Sequence, residues 1–302
     1  MLGLNSNTYK SSSSTMIKAK IIEDSISNGV RITTVEMEYP RFIHAELMTH
    51  RVFSRNSASS RAIPAKKVRE QVWNNPELPI HWGENQRGMQ ASRELTGLKR
   101  LLARTFWRGA SKAACTLHWA MEKVGLHKQA SNRILESYQT MKVLVTSTEW
   151  ANFLWLRDHE DAQPEIRELA VQLDSALNNS NPTTLGYKDW HLPYVTDEMK
   201  ATLSLDDQLA VSVSCCAQVS YRMLDVSLGK AYRIMESLTS GSRVHASPFE
   251  HQATPIPSFQ RLTKTKAKRL GVTHVDMDDQ RWSGNFRGWI QHRQRIKGHV
   301  VT

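Results

Sequence analysis

Cysteine is scarce: the 302-residue chain has three, Cys115 and the adjacent pair Cys215–Cys216. An odd count with two neighbours side by side excludes a disulfide framework and points to reduced thiols in a cytoplasmic compartment. No CxxC or HExxH spacing occurs, so the twelve histidines form no recognisable metal set and no metal is expected. A Gly-rich P-loop is missing, and so is a GxGxxG after a strand, which removes the two common nucleotide fingerprints. No apolar run is long enough to span a bilayer, so a membrane protein is not expected. The opening residues lack both a cationic stretch and a long apolar stretch, which excludes a secretory signal. Residues 1–15, with their run of four serines, read as a disordered lead. Residues 16–302 read as one domain, with a candidate internal boundary in the loop-like stretch at 178–200.

Acidic residues are also in deficit. There are 29 Asp and Glu against 40 Lys and Arg, a net charge of +11. Such a chain seeks an anion, whether nucleic acid, a membrane surface or a small polyanion such as a nucleotide. The only lysine-rich block, "KTKAKR" (Lys264–Arg269), is short and reads as a solvated helix face. Nucleic acid is therefore the less favoured partner.

What is present begins with two strands. "AKIIEDSI" and "VRITTVEMEYP" are rich in β-branched residues and flank the turn signal "SNG". "RFIHAELMTHRVF" then reads as a helix that runs out into a loop. Residues 66–140 read as mostly helical. "DHEDAQPEIRELAVQLDSALN" reads as a helix capped at Asp161, with Pro164 in its first turn and Ile166, Leu169, Leu173 and Leu177 on one face. "DDQLAVSVSCCAQVSYRM" is a buried helix or strand, and the two cysteines within it read as packed core. "RWSGNFRGWIQHRQRI" suggests a closing helix.

The chemistry concentrates in "HRVFSRNSASSR" (His50–Arg61). Arginine forks bind phosphate oxygens in pairs, and serine hydroxyls add directed donors. The stretch is either an exposed polar loop or a mould for an anion. His50–Arg51, seven residues, then Ser59 resembles the signature of the flavin-dependent thymidylate synthases, the ThyX family. Ser54, Asn56, Ser59 and Arg61 match further positions of that signature. "FLWLRDHEDAQPEIRELA" (Phe153–Ala170), with Arg133 upstream, resembles the family's helix pair. "HASPFEH" (His245–His251) and "CCAQVSYRM" resemble two more of its elements. The resemblance touches most of the chain from about residue 30 to 255. In the family the "SPFEH" element precedes the strand that here reads Ile32–Pro40, so the order is circularly permuted. Such an order requires His245 and the start of the Ile32 strand to be neighbours.

The resemblance implies an α+β fold with a central, mostly antiparallel sheet flanked by helices, assembled as a homotetramer with shared active sites. It implies conversion of dUMP to dTMP with methylenetetrahydrofolate, FAD and NADPH. It places Arg167 against the pyrimidine edge as the activating residue; the plainer reading is a surface arginine paired with Glu165 or Glu168. Ser59, Arg61 and Arg133 are implied to hold the nucleotide. His50, Arg51, Ser54, Asn56, Arg157, His245, Ser247 and Glu250 are implied around the flavin. The sequence departs from the family pattern at Thr49, Ser57, Ala62 and Trp155, and at Glu46, which stands where the family has glutamine. Glu46 and Ser57 belong to the expected substrate-binding set. An amide-to-carboxylate change alters donors and acceptors at the base edge. This keeps open dCMP as substrate, a hydroxymethyl product, or a non-catalytic nucleic-acid-binding relative.

Overall fold

The computed structural model describes residues 17–220, 223–257 and 263–300. The expected lead 1–15, Met16, and Tyr221–Arg222 of "CCAQVSYRM" lie outside the described residues. Among the described residues, no helix is long and apolar enough to cross a membrane.

The first two strands form the expected hairpin. β1 (Lys18–Ser27) and β2 (Val30–Pro40) pair antiparallel, from Lys18 against Glu38 to Ser27 against Val30. Asn28 (φ 49°) and Gly29 (φ 76°) make the two-residue turn. Both are left-handed, the conformation whose twist suits a tight hairpin and which Asn and Gly reach at least cost. A register shift between Ile21 and Glu23 bends β1.

Pro40 ends β2, and the chain turns through a 3-10 segment into the short helix α1 (His44–Met48). The helix expected from "RFIHAELMTHRVF" thus stops at Met48. The polar stretch after it is not simply a loop: Ser54–Ser57 forms strand β3. Helices α2 (Ala65–Asn74), α3 (Gly97–Lys123) and the one-turn α4 (Lys128–Ser131) follow. β4 (Thr140–Ser147) then runs between β3 and β2, antiparallel to both. Helices α5 (Ala151–Arg157) and α6 (Pro164–Asn178) complete the family-like core. β5 (Thr183–Thr184) adds a parallel edge to β1. The sheet order is β3-β4-β2-β1-β5, mostly antiparallel as expected.

The two faces of this sheet differ. Val35, Met37, Tyr39, Val143 and Val145 share one face and pack against Ile166, Leu169 and Leu173 of α6. This is period-2 alternation meeting a 3.6-period stripe. The stripe falls where expected, but the helix begins later: its N-cap is Gln163, not Asp161. Pro164 at the first helical position explains the shift, since its fixed φ suits the first turn and its missing N–H is lost nowhere.

The opposite face carries Thr34 and Thr146 and is also buried. It is covered by α8 (Leu205–Ala217), through Cys216, and by Tyr194 of the 186–196 segment, with α7 (Asp197–Thr202) and α9 (Leu228–Thr239) packed outside α8. The run "DDQLAVSVSCCAQ" is therefore a helix, and Cys215 and Cys216 are fully buried core. Burial pushes the Cys215 thiol up to about 12 and Cys216 well above its ordinary value, which makes both poor nucleophiles.

The C-terminal stretch departs from expectation. "RWSGNFRGWIQHRQRI" forms no closing helix but strands β8 (Arg281–Ser283), β9 (Phe286–Arg287) and β10 (Trp289–Gln291), then a 3-10 turn at His292–Arg295. Trp282, Phe286, Trp289 and Ile290 have helix-like spacing, yet Gly284 (φ 58°) and Gly288 (φ 73°) turn the chain. A Cβ at Gly288 would press on Val30. β10 pairs with β6 (Ala253–Pro255), while β8 also pairs with β7 (His274–Val275). Before them, α10 (Lys264–Leu270) holds the "KTKAKR" block.

The region after "SPFEH" reaches the Ile32 strand. Ala253 packs with Ile32, Phe286 and Trp289 in one buried cluster. His245 itself bonds through its backbone N–H to the Leu238 carbonyl. Ala253 lies eight residues beyond His245, and no contact of His245 itself with the Ile32 strand is found among the described residues.

Candidate active site

The site is built on the C-terminal end of α1. Helix ends leave carbonyls without partners. Here Arg55 supplies the donors: its Nη1 lies 3.2 Å from the Met48 and His50 carbonyl oxygens and 3.4 Å from that of Leu47. No glycine cap is present, so a side chain from β3 does the work. The sequence reading did not single out Arg55. Its place within the arginine-rich stretch was visible, but its inward direction follows from β3 pairing.

His50 is buried, stacked on Phe53 (5.6 Å) and edge-on to Phe153 (4.9 Å). Arg157, the last residue of α5, donates from Nε to His50 Nε2 over 3.0 Å. A guanidinium always donates, so Nε2 accepts and the ring proton sits on Nδ1. Burial, then the Arg157 and Arg55 charges, hold the His50 pKa down to about 4. The imidazole is neutral at physiological pH.

Arg157 makes two further contacts. Its Nη2 donates to Thr49 Oγ1 at 3.0 Å and lies 3.5 Å from the Glu46 carbonyl. Thr49 in turn donates to that carbonyl at 2.6 Å. Thr49, where the family pattern has arginine, therefore serves as an acceptor for Arg157. Glu46 Oε2 is buried with no hydrogen-bond partner among the described residues.

The rest of the expected set divides by exposure. Arg51, Arg61, Arg133, His245 and Ser247 are exposed. Arg133 Nη1 bonds Glu136 Oε1 at 2.8 Å. Ser59 receives the Arg61 N–H at 3.3 Å, and its own N–H reaches Ser220 Oγ at 2.9 Å. Ser57 is half-buried on β3. Arg167 is half-exposed on α6, with Nε 3.7 Å from Asp158 Oδ1. Its partner is neither Glu165 nor Glu168. Glu165 is buried, accepts from the Ile80 N–H (2.9 Å) and Gln163 (3.0 Å), and has its pKa raised by burial.

Three expected residues are turned inward. Ser54 is fully buried, and its hydroxyl accepts from Gln291 (3.0 Å) and Asn285 (3.3 Å) of the C-terminal strands. Asn56 Nδ2 donates to the Cys216 carbonyl at 2.9 Å, which ties β3 to α8. Glu250 is paired with Arg293. These contacts knit the two halves of the chain behind the site. His50, Arg157, Thr49 and Glu46 come together directly; His245 and Ser247 make no described contact with them.

Behind the site runs a buried polar chain that sequence reading missed. His191 bridges Ser25 (2.9 Å) and Thr34 (2.8 Å); Thr34 meets Thr146 (2.7 Å), which meets His251 Nδ1 (2.8 Å). Burial holds both histidines down to about 3.

The comparisons with known proteins bear on this arrangement. The sequence profile of the family described as thymidylate synthase complementing protein (Thy1) matches residues 24–183. No curated protein matches by sequence. Among solved structures, a UMP/dUMP methylase, PolB, from Streptomyces cacaoi bound with 5-Br dUMP is similar at 17% identity and TM-score 0.43, over 54% of this chain and 90% of that one. The same protein bound with 5-Br UMP gives 16% identity and TM-score 0.41, over 54% and 89%. The profile match spans more than half of the chain and contains both the His50–Arg61 and the Arg157–Arg167 segments, so the chain belongs to the thymidylate synthase complementing protein family.

Proposed function

We propose that this chain is a flavin-dependent thymidylate synthase: it methylates dUMP to dTMP, with methylenetetrahydrofolate as carbon donor, FAD as resident cofactor and NADPH as reductant. The observation that carries the reading is the Arg157–His50 contact at 3.0 Å, which joins two segments 107 residues apart, both inside the family match. The donor set suits the anions involved. Arg51, Arg61, Arg133 and Arg167 offer guanidinium groups at half-exposed or exposed positions, and Ser59 and Ser247 add hydroxyls. FAD, dUMP and the folate tail are all anionic, which accounts for a basic chain.

In this reading Arg51, Arg157, His245 and Ser247 hold the flavin, with His50 as a neutral, aromatic-packed wall. Arg55 positions that wall through its bond to the His50 carbonyl, while Ser54, Asn56 and Glu250 brace the segments behind it. Ser59, Arg61 and Arg133 hold the nucleotide phosphate and sugar, and Ser57 borders it. Arg167 faces the pyrimidine edge, where a fixed cation stabilises charge developing on the ring and so activates C5. The flavin, when bound, supplies the hydride that reduces the transferred carbon to a methyl group. A homotetramer with shared sites and a cytoplasmic location complete the proposal.

Glu46 favours a second reading. Its buried, unpartnered Oε2 is an acceptor where the family pattern has an amide. An acceptor prefers the exocyclic amino group of cytosine to the carbonyl of uracil, so dCMP is the alternative substrate. The test is binding: titrate FAD into the purified chain, then add dUMP or dCMP and NADPH. A flavin spectrum that forms, responds to nucleotide and bleaches with NADPH supports the proposal. A chain that takes up no FAD contradicts it.

A further inference from the structure

α3 is the longest helix among the described residues, yet it is poorly covered. Only Ser111, Ala114, Cys115 and His118 of its 27 residues are buried. It carries six Lys and Arg side chains against a single carboxylate, Glu122. Like charges four apart on a helix repel, so such a run is unfavourable until an anion neutralises it. Arg100, Arg104 and Arg108 line one groove of about 410 Å³. Arg104 and Arg108 are exposed, and among the described residues no carboxylate pairs with either. Lys112 continues the row and sits over the Trp73 ring, 4.1 Å from its centroid.

The aromatic partner surface lies beside this row. Trp73 and Trp119 are about half-exposed and line a second open groove of about 380 Å³ with Arg69, Glu70 and Cys115. Successive cations on the row are about 6 Å apart along the helix axis, comparable with one backbone step of an extended nucleic-acid strand. Cations that track a backbone, with exposed aromatic rings beside them, are what an unpaired strand requires: phosphates meet the cations and bases stack on the rings. A duplex would use the cations alone, because its bases are already stacked. A second copy of the chain would bring the same positive row and repel it.

We infer that the face of α3 bearing Arg104, Arg108 and Lys112, with Trp73 and Trp119 beside it, binds single-stranded nucleic acid. This goes beyond the proposed enzyme activity. None of these residues belongs to the set assigned to nucleotide or flavin.

The experiment is fluorescence anisotropy of the full chain with a labelled oligothymidylate, with the same length of duplex and with anionic phosphatidylglycerol vesicles as competitors. The single strand is expected to bind more tightly than the duplex. Its log affinity should fall with log salt at a slope of about −0.7 per phosphate neutralised, so roughly −2 for the three cations Arg104, Arg108 and Lys112. Arg104→Ala with Arg108→Ala should cut the slope by about 1.4; Arg104→Lys with Arg108→Lys should keep it. Trp119→Ala should weaken binding with the slope unchanged. Circular dichroism of each variant checks the fold, and FAD binding should be unaltered, which separates this inference from the enzyme reading. Three results would overturn it: equal affinity for duplex and single strand, oligonucleotide binding indifferent to the alanine pair, or vesicle binding without oligonucleotide binding. Sedimentation in which Trp119→Ala only dissolves a self-assembly would overturn it as well.

Discussion

Arg157 and His50 meet at 3.0 Å, guanidinium Nε to imidazole Nε2, at the buried end of the arginine-rich stretch. The contact fixes the His50 tautomer and holds the ring uncharged, so the positive charge presented here belongs to arginine alone. Removing Arg157 takes away a like charge and a donor to the unprotonated nitrogen, both of which depress the imidazole pKa. Arg157→Ala is therefore expected to raise the His50 pKa from about 4 toward its ordinary value, with burial still holding it below. Imidazole NMR against pH reads this. An unmoved pKa would show that the contact does not govern the ring.

Arg167→Ala should separate chemistry from folding. The side chain is half-exposed, and its one ion pair, with Asp158, is a loose 3.7 Å contact. Such surface changes shift stability by about 0.5 kcal/mol or less. Loss of a charge aimed at the reacting ring typically costs about 10²–10³ in kcat. Steady-state turnover beside a urea melt distinguishes the two. Retained turnover would remove the activating role.

Stability should fall on acidification through the buried histidines. Folded His191 and His251 titrate near 3 because burial disfavours the imidazolium; in an unfolded chain they take up protons near 6.5. Below about 6.5 the unfolded state binds more protons, so stability present above that pH is lost as pH drops toward 3. The slope is on the order of 1.4 kcal/mol per pH unit for each histidine. Urea midpoints between about pH 7.5 and 5 would reveal it. A flat profile over that range would contradict the burial of these rings.

Leu173→Ala tests the packing of α6 on the sheet. Leu173 is fully buried among Val35, Met37 and Val143. Truncation should cost about 2–5 kcal/mol, read as a lower urea midpoint with an unchanged slope. A cost under about 1 kcal/mol would mean that this interface is loose.

Some of this was legible in the sequence and some was not, for physical reasons. The β1–β2 hairpin was legible because "SNG" is a turn with its own chemistry. α6 was legible because Ile166, Leu169, Leu173 and Leu177 keep one period over about three turns. β3 was not: "SRNS" has no strand propensity, and it becomes a strand only through pairing with β4 and burial of Ser54 against Gln291. The tail was misread because its aromatic spacing suits a helix, while two glycines impose turns. The site's parts were visible as motifs by family resemblance. Their orientation was not, because Arg55, Asn56 and Glu250 are claimed by partners 5 to 160 residues away.

Glu46 tests base selectivity. Its unpartnered Oε2 should accept from an amino group more readily than from a carbonyl edge. Glu46→Gln is expected to shift preference toward dUMP by about tenfold or more, since a buried group left unpaired costs about 1–3 kcal/mol. Competition between dUMP and dCMP for the same protein reads the ratio. An unchanged ratio would exclude Glu46 from the base edge.

The most direct test of the enzyme proposal is the mass of the product nucleotide. The purified chain is incubated with FAD, NADPH, methylenetetrahydrofolate and dUMP, and in parallel with dCMP. The account expects dUMP to gain one CH₂ and become dTMP, with no gain when folate or reductant is omitted. A nucleotide left unchanged under every combination would contradict it.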